Sequence, residues 1–228
     1  MTVHASRIQV SNDVTPLPYT VSAQRGGLYR AFFKRVVDVA LVVAAAPFVA
    51  PVLLILALAI YAKDGKSPFF VQERIGLNGK RFKMWKFRTM VPNAEAMLQR
   101  YLDSDDAVRE EWETKQKLAF DPRITAIGKF LRKSSADELP QLLNVLKGDM
   151  SLVGPRPMLP EQQALYPGHG YYRLRPGMTG SWQITERNES SFADRAGYDD
   201  TYEQDLSFAV DAHIVAKTVG VVLRGTGV

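Results

Sequence analysis

Two adjacent carboxylates, Asp137 and Glu138, lie in the stretch RKSSADELPQLLNVLKGDMSLVGPRP (residues 132–157), with Arg132 before them and Arg156 after. Side by side, two acids can divide labour. One carboxylate attacks a phosphorus atom and splits a hard displacement into two easier ones, while the other handles a proton or orders a metal. Such a pair needs cations nearby, because like-charged carboxylates and a phosphorylated substrate repel one another. Arg132 and Arg156 could supply them, with the two-pronged geometry that guanidinium offers to phosphate. A second group lies in YRLRPGMTGSWQITERN (residues 172–188), where Arg173, Arg175 and Arg187 alternate with Gly177 and Gly180. Glycine lets backbone approach a ligand closely, and arginine holds the ligand's phosphates. An ordinary account competes at the acidic pair. Ser135-x-x-Glu138 spells a capping box, and acids at a helix start are favoured by free amides and the helix dipole.

The elements that must position these residues can be read outward from them. Leu139, Leu142, Leu143 and Leu146 follow the spacing of one buried helical face. Pro140 suits a first turn, Lys147 a last turn and Gly148 a C-terminal cap, although a helix starting at Ser135 would place the proline too deep. Upstream, FFVQERIGLNGKRFKMWKFRTM (residues 69–90) holds Asn78-Gly79 between aromatic-rich runs, which predicts a β-hairpin. Arg74, Lys80, Arg81, Lys83, Lys86 and Arg88 crowd it, and for most of them a solvated or headgroup-facing surface is the ordinary account. Interleaved aromatics also suit nucleic acid, but no recognition helix accompanies them, so no nucleic-acid partner is expected. Residues 93–118 read as an exposed helical region. Asp103-Ser104-Asp105 within it matches a metal-binding pattern of some glycosyltransferases, yet lacks the strand such sites need and reads as a solvated face. Residues 207–223 form a helix with Phe208, Val215, Val219 and Val222 near one face, which by default packs internally.

From residue 39 to residue 61 there is no charged side chain. As a straight helix this run reaches about 34 Å, enough for a hydrocarbon core of about 30 Å. Pro47 and Pro51 argue against a simple span, and so do the flanks. Arg25, Arg30, Lys34 and Arg35 precede the run, and Lys63, Lys66, Arg74, Lys80 and Arg81 follow it, so both ends ask for the cytoplasmic side. A re-entrant hairpin bent near Pro51 satisfies both. The chain therefore divides into a polar tail (1–29), a membrane hairpin (30–62) and a surface domain (63–228), with an α+β fold. The absence of cysteine excludes disulfides, a thiol nucleophile and Cys-ligated zinc. Twenty-nine Lys plus Arg against 24 Asp plus Glu suit anionic partners without choosing among them. A non-catalytic membrane scaffold and a nucleic-acid-binding membrane protein are the rival classes.

The segments FKRVVD, ERIGLNGKRFKMWKFRTM, DPRITAIGKFLRKSSADELPQLLNVLKGDMSLVGPRP and RPGMTGSWQ resemble, in order, the bacterial sugar transferases. These are the monotopic phosphoglycosyl transferases that begin polyprenyl-linked polysaccharide synthesis. The resemblance covers residues 32–223. It implies a re-entrant helix in the bacterial inner membrane, a catalytic domain on the cytoplasmic face, magnesium, a UDP-hexose donor and undecaprenyl phosphate as acceptor. Galactose is the first expectation for the hexose and glucose the second. Carried onto this chain, Asp137 is the nucleophile, Glu138 its partner, and the two together the implied metal ligands. The phosphate clamps fall on Arg88, Arg132, Arg156 and Arg175, and the helix break falls on Pro51. Three positions depart from the family pattern: Ala50 stands where serine is frequent before the proline, Glu186 replaces a glycine before Arg187-Asn188, and His213 replaces leucine or lysine.

Overall fold

The computed structural model describes residues 27–115, 118–185 and 192–223. Most of the expected tail, and the departure at Glu186 with Arg187 and Asn188, lie outside the described residues. A π-helical turn at Tyr29–Phe33 leads into α1, Lys34–Asp64. Pro51 was expected to break this helix into two arms, but both Pro47 and Pro51 lie inside one uninterrupted element. Each proline removes one intrahelical donor, and a 31-residue helix keeps the rest. Proline bends such a helix without ending it. Most of α1 is exposed or only partly covered: Phe48 is 79% exposed, whereas among its residues only Asp38, Val42 and Ile60 are buried. The helix is long and apolar enough to cross a membrane.

Both ends of α1 are tied to the rest of the protein. Near its start, Asp38 accepts from Ser151 Oγ (2.7 Å) and from the Leu152 amide (3.2 Å), and Lys34 pairs with Asp211 at 2.7 Å. At its far end Asp64 receives both terminal nitrogens of Arg88 at 2.7 Å. Gly65 then ends the helix in the left-handed region (φ 65°), where no Cβ penalty applies.

The predicted hairpin forms as β1 (Phe69–Ile75) and β2 (Arg81–Phe87), antiparallel, with Phe69 opposite Phe87 and Ile75 opposite Arg81. Asn78 (φ 56°) and Gly79 (φ 73°) take the positive φ values that the turn demands. Two helices follow, α2 (Ala94–Ser104) and α3 (Asp106–Lys115), which close a small core of their own around Leu98, Leu102 and Leu118. Asp103 there pairs with Arg109 (2.9 Å), and Asp105 accepts from the Ala107 amide (2.9 Å).

Next come α4 (Ala126–Lys133), capped by Thr125, and α5 (Gln141–Lys147), closed by Gly148 at φ 89°. The leucine face read from the spacing is not the buried one. Gln141, Asn144 and Val145 are buried, while Leu143 and Leu146 are 45% and 40% exposed. The reason is an amide. β2 has one unpaired edge, and buried Asn144 serves it as a strand would, donating to Lys83 O (2.8 Å) and accepting from the Trp85 amide (3.1 Å). That contact turns α5 so that two leucines face outward.

β3 (Ser151–Val153) pairs in parallel with β4 (Gly177–Thr179), a contact with no sequence signal behind it. The pairing needs glycine: a Cβ on Gly177 would stand 2.1 Å from the Gly154 amide nitrogen. The helices α6 (Ser181–Thr185), α7 (Arg195–Asp205) and α8 (Phe208–Leu223) complete the described residues. Internal packing was the expectation for α8, and it holds only for the side bearing Ile214. Phe208 (60%) and Val219 (52%) are exposed. The architecture is mixed helix and sheet, as expected for an α+β fold.

Candidate active site

Asp137 and Glu138 do not cap α5. They lie in a separate 3-10 turn, Ala136–Glu138, and Ser135 before it adopts the left-handed region (φ 55°, ψ 16°) with no capping bond from its side chain. The capping box is therefore not formed, and Pro140 shows why. Proline occupies the N-cap of a helix that starts at Gln141, too late for Ser135 to reach. A non-glycine residue in this region costs about 1–3 kcal/mol, a strain that structures retain mostly at functional positions.

What faces the pair is a lysine. Lys86 on β2 places Nζ 2.7 Å from Glu138 Oε1 and 3.8 Å from Asp137 Oδ2. Lys86 is one of the six basic residues of the hairpin, and the sequence alone does not single it out. Strand alternation could have found it, since Phe82, Met84 and Lys86 fall on one face and Met84 is core. Burial pushes the Asp137 carboxyl above the ordinary range and adjacent Glu138 adds to the push, against the opposing pull of Lys86 and Arg132.

The four expected clamps separate. Arg156 lines the same cleft as Lys86 and Glu138, together with Arg74, Gln141 and Gln183. Arg132, on α4, donates through Nε to Thr89 Oγ1 (3.0 Å) and acts on Asp137 through its charge. Arg88 is occupied elsewhere, held by Asp64 and by Ser67 O (2.8 Å). Arg175 donates to Gly148 O (3.0 Å), at the opposite end of α5 from the acids, about 10 Å along a helix of this length. It lines a different cavity of about 320 Å³, with Arg30, Lys34 and Asp38. His213 is exposed on α8.

Two carboxylates suit magnesium only if the substrate completes the shell. Magnesium takes one or two protein carboxylates plus phosphate oxygens and water. No cluster of three or more candidate ligands occurs among the described residues, so the donor set fits a shared ion and not a closed cage.

The chain is similar over most of its length to known proteins. A profile of the bacterial sugar transferases matches residues 29–225. The exopolysaccharide production protein ExoY of Sinorhizobium fredii is 44% identical over 196 residues, which are 85% of this chain and 87% of that protein. The UDP-galactose-lipid carrier transferase of Erwinia amylovora is 43% identical over 198 residues, 86% of this chain but 41% of the longer relative. The UDP-glucose:undecaprenyl-phosphate glucose-1-phosphate transferase of Escherichia coli is 34% identical over 224 residues, 94% of this chain and 45% of its own length. A strained acidic turn facing a lysine and an arginine-lined cleft thus sits within a match spanning nearly the whole chain, and the protein belongs to the bacterial sugar transferase family.

Proposed function

We propose that this protein transfers hexose 1-phosphate from a UDP-hexose to undecaprenyl phosphate through a phosphosugar-aspartate. The observation that carries the reading is the Asp137–Glu138 turn, shielded, unused for capping, and opposed by Lys86 at 2.7 Å. Asp137 attacks the β-phosphorus, the one bearing the sugar. A carboxylate oxygen–phosphorus bond forms, the bridging phosphoanhydride bond breaks, and UMP leaves. The polyprenyl phosphate oxygen then attacks the same phosphorus, releases Asp137 and carries off the sugar as a diphosphate. Lys86 favours the ionised form of the attacking carboxylate against the burial that raises its pKa, and Arg156 steadies charge on the phosphates. Asp137 and Glu138 would hold magnesium together with the diphosphate, whose charge the ion offsets. Galactose is the first hexose on the names of the relatives, with glucose next.

A covalent route has a direct test. With magnesium and UDP-galactose but no lipid, the purified protein should exchange labelled UMP into the UDP-sugar. Direct transfer, with both substrates bound at once, gives exchange only after polyprenyl phosphate is added, and that outcome would remove the covalent step. Lys86→Met should lower turnover about 10²–10³-fold, the loss typical of one preorganised charge. Because Lys86 pulls the Asp137 carboxyl down, its removal should also move the acid limb of the kcat/KM profile to higher pH. A limb that stays in place would show that Lys86 does not act on the nucleophile.

We also place the protein on the cytoplasmic face of the inner membrane, with α1 entering and leaving one leaflet. Both ends of α1 contact the same domain, which supports this course. Val42 packs in one cluster with Met84, and Ile60 in another with Phe87. Eighteen residues of straight helix would separate Val42 from Ile60 by about 27 Å, whereas three residues of strand separate the two β2 residues by about 10 Å. With no native cysteine to interfere, Ser22→Cys and Lys66→Cys report the two sides of α1. An impermeant thiol reagent outside intact cells should label neither, and inside-out vesicles should expose both. Labelling of one position alone from outside would mean that the helix spans.

A further inference from the structure

The cleft beside the acidic turn contains more positive charge than its own acids balance. Arg156 belongs to the segment after β3, which is fixed against β1: Ile75 donates its amide to Met158 O (3.0 Å) and Arg74 Nη1 donates to Pro157 O (3.0 Å). This brings the guanidinium of Arg74 into the cleft that Arg156 also lines. A third arginine, Arg195 at the start of α7, lies with its guanidinium 4.1 Å from the Trp182 ring centroid and 4.9 Å from that of Phe192. Trp182 precedes Gln183, a residue of the same cleft. Burial and then the charge of Arg156 lower the pKa of Arg74, and burial, Arg156 and Arg74 lower that of Arg195 to about 10. The three are electrostatic neighbours.

The nearby acids offset this charge only in part: Glu161 and Glu138 act on Arg74, and Asp199 on Arg195, through their charges. Lys86 holds Glu138 at 2.7 Å, and Asp199 accepts from Tyr166 Oη at 2.7 Å. Arg74 Nε and Arg195 Nε are shielded from solvent with no acceptor among the described residues. A buried donor left unpaired costs about 1–3 kcal/mol, more when charged, and adjacent cations add repulsion. In the ligand-free protein this is an unfavourable arrangement. An anion rich in acceptors, arriving from outside, would reverse its sign.

Resting on the function proposed above, we infer that Arg74 and Arg195, with Arg156, bind the diphosphate of the nucleotide-sugar donor beside Asp137. Both side chains are held before the ligand arrives, Arg74 by Pro157 O and by Gln72 Oε1 (2.7 Å), Arg195 by its two aromatic neighbours. Little ordering is left to accompany binding. Gln183 Oε1, also buried without a partner among the described residues, is an acceptor and suits a donor hydroxyl, not a phosphate.

The test uses the full chain in nanodiscs, with UDP and inorganic diphosphate as separate probes in magnesium buffer. Arg74→Gln and Arg195→Gln should each weaken both probes about tenfold or more, the loss expected for a charge-assisted contact. Arg81→Gln, which removes the same charge from an exposed pair with Glu73, should leave both within about twofold. Melting of the ligand-free variants checks folding. If a glutamine variant does not fold, Arg74→Lys and Arg195→Lys are read instead, and should weaken UDP by a smaller factor. Unchanged UDP affinity in both folded variants, with wild-type transfer intact, overturns the assignment and leaves the proposed function standing. Weakened UDP with unchanged inorganic diphosphate also overturns it, since the arginines would then act on the nucleoside. A wild-type protein that binds inorganic diphosphate through both arginines but neither binds UDP nor transfers sugar phosphate would overturn the donor and the proposed function together.

Discussion

Asp137→Asn should abolish lipid-independent UMP exchange, with a loss of about four orders of magnitude or more, as for removal of a covalent nucleophile. The amide keeps the size and shape of the side chain, so the 3-10 turn at Ala136–Glu138 and its approach to Lys86 survive. What disappears is the only group at that position able to form the acyl phosphate. A hexose-phosphate adduct should be found by mass spectrometry on the peptide containing Asp137 in the wild type and be absent from the variant. The same substitution should not destabilise the protein. The folded state raises the Asp137 pKa, mainly by burial, so ionisation is harder there than in the unfolded chain. Wild-type stability therefore falls as pH rises from the ordinary carboxylate range through the raised value, and asparagine removes that loss. The variant should melt at or above the wild type at pH 7, and the gap should close below pH about 4. Exchange retained within tenfold, or a variant that melts well below the wild type at pH 7, would point to a structural aspartate and move the nucleophile elsewhere.

Asn144→Leu should unfold the site from behind. Asn144 is fully buried, and its amide satisfies Lys83 O, the Trp85 amide and Asp149 Oδ2 (3.1 Å). Leucine of similar volume leaves these groups buried without partners, at about 1–3 kcal/mol each. A total loss of about 3 kcal/mol or more is expected, which for a chain of this size lowers Tm by roughly 6–12 °C. Because the same bonds join α5 to the strand carrying Lys86, activity should fall in the fraction that remains folded, with kcat falling more than KM rises. Asn144→Asp retains the acceptor for Trp85 but sets a buried carboxylate oxygen against Lys83 O and Asp149 Oδ2, so it should lose at least as much as the leucine variant. A Tm within 2 °C of wild type for the leucine variant would mean that α5 is held by its apolar contacts alone.

The contrast between Asn144 and the leucines around it marks where local reading stops. Turn and cap chemistry was legible because it depends on single residues: Asn78-Gly79 made its turn, and Gly148 closed α5. The apolar run was legible because length and composition alone make a membrane-sized helix. The acidic pair and Arg156 were named from the chain, and Asp137, Glu138 and Arg156 do meet at one site. Which face of α5 turns inward was not legible, since an unpaired strand edge 61 residues away takes the Asn144 amide. The continuous course of α1 through two prolines was missed because the local rule weighs one lost bond and not the many that remain. Likewise, Gly177 was named from the chain and does line the cleft with Arg156, but the approach of Gly154, 2.1 Å from where its Cβ would stand, was not legible.

The sequence by itself determined the helix long and apolar enough to cross a membrane, the hairpin and the chemistry available to the acidic pair, because each is written within a few turns of chain. Only the tertiary structure decided which cations serve that pair. Arg88 went to Asp64 and Arg175 to the far end of α5, while Lys86 and Arg74 came into the cleft. Charge type is a local property, but distance between charges is set by the packing of elements remote in sequence, and electrostatic interaction depends on that distance.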